Sequence, residues 1–136
     1  MERKDITLES CGWSAEVMFD VTAHDLPYVT SRLYACGATS GIVRRVADNV
    51  TSSVVDFGVT FSNTEDRHSV VIIGRSSGEG QFANTWMHET YHLARHIAQA
   101  SGMHGEEPAY VAGEIAYETH RQASKRMCKC CSKKNA

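Results

Sequence analysis

Apolar and polar positions alternate with period two at the start of the chain. Ile6 and Leu8, separated by Thr7 and flanked by Glu9, suggest a short edge strand. Val17, Phe19 and Val21, set between Met18, Asp20 and Thr22, predict a strand with one buried face. The period then becomes helical. Asp25-Leu26-Pro27 is a helix start with proline in the first turn, and Leu26, Val29 and Leu33 recur at helical spacing up to Cys36-Gly37. A second short helix from Thr39 or Ser40 to about Asn49 would bury Ile42, Val43 and Val46.

The middle of the chain returns to strand character. The β-rich runs Val54 to Phe61 and Ser69 to Ile73 flank the polar segment from Ser62 to Arg67, which predicts a hairpin. Val70-Val71-Ile72-Ile73 lacks alternation, so this strand is expected to be covered on both faces. A glycine- and serine-rich loop, Gly74 to Gly80, feeds a long helix from Glu79 to Ser101 that stops at Gly102. A strand just before that helix would lie above it and offer its backbone edge to an extended peptide. Glu106-Glu107-Pro108 opens a last helix reaching Ala123, with small residues at Ala109, Ala112, Gly113 and Ala116 that would meet Ala94 and Ala98. The elements together read as α+β, with the sheet packed on the long helix.

Length, charge and cysteines narrow the picture. At 136 residues the chain fits one domain over residues 1–123. The final thirteen residues carry Lys125, Arg126, Lys129, Lys133 and Lys134 and no acid, so a net charge of −2 leaves −7 on the rest. Such a basic tail, residues 124–136, is expected to be a solvated, flexible end rather than a nucleic-acid contact. Five cysteines and the lack of an apolar segment behind Met1 predict a reducing, cytoplasmic setting without membrane contact. Cys11 and Cys36 read as core residues; Cys128, Cys130 and Cys131 crowd the tail without the paired spacing of a zinc knuckle.

The long helix carries the chemistry. In His88-Glu89-Thr90-Tyr91-His92 the two histidines stand one turn apart on one face, where both imidazoles can meet a single Zn2+ ion. Glu89, beside the first histidine, is placed to act as general base on a water at the metal. Trp86, Thr90, Leu93, Ala94 and Ile97 form an apolar stripe on another face, which supplies the helical setting the motif requires.

A catalytic zinc site generally takes a third protein ligand. Glu106, Glu107, Glu114, His104 and His96 are the candidates. His96 lies two turns from His88, about 12 Å along the axis, too far for all three histidines to close on one ion. The metzincin pattern would need glycine in place of Arg95 and a later histidine. If the two last helices are antiparallel, level counting sets Glu114 opposite His92, whereas Glu106 heads the second helix one turn before Ala109.

His88-Glu89-x-x-His92 followed by Glu106-x-x-Ala109-Tyr110-x-x-Gly113 resembles small single-domain zinc peptidases of the gluzincin type, including short proteins of bacterial phages and mobile elements. The likeness covers residues 67–117. It implies a zincin-like fold, in which a small, mostly antiparallel sheet packs on the motif helix and the next helix carries the third ligand. By analogy that ligand is Glu106. The implied activity is zinc-dependent hydrolysis of a peptide or protein substrate, with Glu89 passing a proton to the leaving amine and Tyr110, His104 or His96 as candidate donors to the oxyanion. The competing expectation is a catalytically inactive metal-binding module with a regulatory or interaction role.

Overall fold

A computed structural model describes residues 1–52 and 55–130. The expected strand start at Val54 and the tail residues Cys131, Lys133 and Lys134 lie outside them. Strand β1 (Glu2–Leu8) turns into β2 (Trp13–Val21); helices α1 (Leu26–Ala35) and α2 (Ser40–Thr51) follow; β3 (Gly58–Asn63) and β4 (His68–Gly74) form a hairpin; α3 (Glu79–Ser101) and α4 (Glu107–Met127) complete the order. Among the described residues the strands form one mixed sheet in the order β1-β2-β4-β3. The outer pairings β1–β2 and β3–β4 are antiparallel, and the central β2–β4 pairing is parallel. The class is α+β.

Helices cover both faces of this sheet. Val17, Phe19, Val71 and Ile73 point to one side, where Phe82, Trp86, Leu93 and Ile97 of α3 and Val111 and Ile115 of α4 close over them. Met18, Val70 and Ile72 point to the other, against Val29 and Leu33 of α1 and Val43, Val46 and Val50 of α2. Strand β4 is therefore covered twice, as its unbroken apolar run requires. The same holds for β2, which alternation had assigned one buried face: Met18 is fully buried. The alternation misleads because it includes Asp20, whose φ of 59° marks an irregularity in the register between Met18 and Val21. That bulge turns Val21 into the core on the α1–α2 side.

The polar exception in β2 is Glu16, 1% exposed. Arg3 Nε at 2.7 Å, Arg32 Nε at 2.8 Å and the Tyr28 hydroxyl all donate to its carboxylate, so β1 and α1 are both tied to one buried charge on β2. Burial opposes ionisation of Glu16, but the hydrogen bonds from Tyr28, Arg32 and Arg3 outweigh it and hold the pKa below the ordinary carboxylate value.

The last two helices meet in part through the expected small residues, since Ala112 packs against the core cluster that holds Ala94. Helix α4 also faces the core with Val111, Ile115, Thr119 and Ala123 at helical spacing. Ala109 and Ala112 border a groove between the two helices with Ala94 and Ala98. Helix α4 also runs beyond Ala123, and the first cations of the basic tail are engaged there. Lys125 Nζ lies 2.9 Å from Glu2, and Arg126 reaches Glu2 at 2.8 Å and Asp20 at 2.7 Å. No described helix is long and apolar enough to cross a membrane.

Candidate metal centre

Helix α3 occupies the predicted span, with Gly102 (φ 66°) as its left-handed stop. Its apolar stripe seats it on the sheet, which turns His88 and His92 outward beside the edge strand β3 and leaves Glu89 buried at 4% exposure. The Nε2 atoms of His88 and His92 are 3.0 Å apart. Two zinc–nitrogen bonds of about 2.0–2.1 Å, opened to a tetrahedral angle, span about 3.3 Å, so the pair needs only a few tenths of an ångström to hold one ion. The ligand atoms of His88, Glu89 and His92 all lie within 4.8 Å of one another. This group could hold a metal ion.

Strand β3 fixes the carboxylate. Thr60 Oγ1 donates to Glu89 Oε2 at 2.6 Å. Gly58, two residues earlier on the same face of the strand, leaves the space that the Glu89 side chain fills: a Cβ there would lie 2.6 Å from Glu89 Cγ and 3.0 Å from Oε1. The next residue on this face, Ser62, bonds His96 Nδ1 at 2.7 Å. Gly58, Thr60 and Ser62 thus form a small, polar strip along α3. Burial, reinforced by the charges of His92 and Arg95 and opposed by Glu89, lowers the pKa of His96.

Among the described residues no strand pairs with the outer edge of β3. Gly74 N–H donates to Phe57 C=O at 2.9 Å, and the antiparallel register then directs the backbone groups of Val59, Phe61 and Asn63 to β4. Those of Gly58, Thr60 and Ser62 point to the unpaired edge. An edge that could receive an extended peptide therefore belongs to β3, since β4, the strand immediately before α3, is interior.

Of the residues singled out in the sequence, the structure brings together His88, His92 and Glu89. No other described histidine, cysteine, aspartate or glutamate joins them. Glu106 is exposed at the N-terminal end of α4, where the Tyr110 hydroxyl lies 3.4 Å from its carboxylate. His92 precedes the last residue of α3 by nine positions, about 14 Å of helix axis, and α4 starts beyond that end. Glu107 and His104 are exposed near the same end. Glu114 is hydrogen-bonded by Ser10 of the β1–β2 turn, on the side of α4 that meets β1. Sequence reasoning missed Gly58, Thr60 and Ser62. Their period-two run of small and polar residues inside a β-rich segment was the available signal. Compared with known protein families, curated proteins and solved structures, the chain matched none.

Proposed function

We propose that the protein is a zinc-dependent peptidase whose metal is held by His88 and His92, with Glu89 as general base and the open edge of β3 as the rail for an extended substrate. The observation that carries this reading is the joint placement of two Nε2 atoms 3.0 Å apart and a buried carboxylate within 4.8 Å of them, under an unpaired strand edge. Zinc bound there would supply a Lewis acid that lowers the pKa of its water toward neutrality. Glu89 would take the proton released from that water on a carboxylate oxygen and pass it to the leaving amine. Thr60 holds Oε2 at 2.6 Å, which orients the carboxylate. The outward N–H and C=O groups of Gly58, Thr60 and Ser62 would align a peptide by strand addition. The zincin-like fold and the mobile-element affinity suggested by the motif belong to this same proposal.

The third ligand separates this from the alternative reading. Glu106, implied by the gluzincin resemblance, stands apart from the histidine pair. That separation favours a metal-binding regulatory or interaction module without turnover. Elemental mass spectrometry of the purified protein followed by cleavage of a quenched-fluorescent peptide library decides between them. Zinc at one per chain with metal-dependent cleavage supports the peptidase. Stoichiometric metal without cleavage supports the module, and failure to bind divalent metal sinks both.

A further inference from the structure

A chain of four side chains runs from the core to the surface beside the metal site. Trp13 Nε1 donates to Ser69 Oγ at 2.9 Å, Ser69 Oγ lies 2.7 Å from Ser62 Oγ, and Ser62 Oγ lies 2.7 Å from His96 Nδ1. Trp13 and Ser69 are completely buried. The first three residues come from the neighbouring strands β2, β4 and β3 of the sheet, and the fourth from α3, which packs on it.

The direction of the protons follows from the chemistry of the buried end. An indole nitrogen only donates, so Ser69 Oγ must accept from Trp13. The Ser69 hydroxyl still has its own proton to place, and Ser62 Oγ is the acceptor beside it. Were Ser62 to donate to Ser69 instead, that proton would be stranded in a site with no access to water, an unfavourable state for a buried hydroxyl. Ser69 therefore donates to Ser62. Ser62, having accepted, keeps its own proton for a partner, and His96 Nδ1 at 2.7 Å is the acceptor beside it. A neutral imidazole that accepts at Nδ1 carries its hydrogen on Nε2.

We propose that the Trp13–Ser69–Ser62 relay locks His96 in the neutral Nε2–H form and so makes it a hydrogen-bond donor of the site, not a metal ligand. His96 lines an open recess of about 460 Å³ with Phe61, Ser62, Thr64 and Gln99, along the free edge of β3. An acceptor placed there, such as the carbonyl oxygen of an extended peptide, meets a donor whose orientation is fixed from the core. The tautomer rests on the relay alone; its use on a peptide carbonyl rests on the peptidase reading.

Nitrogen-15 NMR of the full-length protein reads the tautomer directly, because protonated and unprotonated ring nitrogens resonate far apart; His96→Gln assigns the signals. The metal-free protein is expected to show Nε2 protonated and Nδ1 bare. Ser62→Ala and Ser69→Ala should each shift the tautomer ratio toward Nδ1–H by about five-fold or more. Ser62 is only half-buried, so its variant serves if Ser69→Ala does not fold. On addition of zinc the Nε2–H signal should persist. Nδ1–H as the dominant form in the unaltered protein, a ratio unmoved by the serine substitutions, or loss of the Nε2 proton on zinc binding would each overturn the proposal. None of these readouts uses turnover, so failure of the peptidase assay leaves them standing, and their failure leaves the peptidase reading standing.

Discussion

Thr60 and Glu89 meet across the interface of an edge strand and a helix, with the threonine hydroxyl 2.6 Å from Oε2 of a carboxylate that is almost completely buried. Thr60→Val keeps the shape and removes the donor. A buried carboxylate left short of a donor costs about 1–3 kcal/mol. The urea midpoint of the metal-free variant should fall accordingly. An unchanged midpoint would show that Glu89 does not depend on this bond.

Gly58→Ala tests the same carboxylate sterically. The added Cβ would come within 2.6 Å of Glu89 Cγ, so the side chain or the strand must move. Overpacking of this kind costs about 1–3 kcal/mol. It should also displace Glu89 and lower any hydrolytic rate, while His88 and His92 continue to bind metal. Wild-type stability and rate together would mean that β3 yields freely.

Metal binding should depend on the histidine pair and not on the acids of α4. His88→Ala or His92→Ala is expected to abolish stoichiometric zinc in equilibrium dialysis, because either change removes half of the close pair. Glu106→Gln, Glu107→Gln and Glu114→Gln should leave binding within about two-fold of the parent, less than 0.5 kcal/mol. A large loss in Glu106→Gln would restore the gluzincin ligand set and require the head of α4 to move toward α3.

Glu89→Gln separates binding from chemistry. The amide keeps the size of the side chain but cannot accept a proton as a base. The variant should hold zinc as the parent does and lose peptide cleavage altogether. Retained cleavage would remove Glu89 from its role.

Glu16 should govern part of the acid stability. Its folded-state pKa is below the ordinary value of 4.5, so the protein gains stability from it above that value and loses it as the pH falls through the lower folded value. Urea midpoints followed from neutral pH to well below 4.5 should drop on the acid side. Glu16→Gln should lower stability at neutral pH, where Arg3 and Arg32 lose their counter-charge, and flatten the acid limb. Parallel curves for the two proteins would exclude Glu16 as the titrating group.

The sequence carried the helices and the motif more fully than the sheet. The bounds of α3, its glycine stop and the one-turn spacing of His88 and His92 are local, and local periodicity records them. The twofold covering of β4 was readable from its unbroken apolar run. The parallel seam was not, since it joins Ser14 to His68 and Val17 to Val71, partners with no local signature. The same distance along the chain hid the surroundings of Glu89 and His96, because Thr60 and Ser62 lie 29 and 34 residues before them. The third-ligand question turned on where α4 sits, and that depends on Val111, Ile115 and Ala123 seeking the core rather than on the acids beside them.

The parallel seam between β2 and β4 also bears on biosynthesis. Its two halves are separated by α1, α2 and strand β3, so a nascent polypeptide cannot close the sheet until His68–Gly74 has left the ribosome. The motif helix is translated afterwards and needs that sheet as its bed. Any capture of an ion by His88 and His92 in their final setting would thus be a late event, following rather than nucleating assembly of the core.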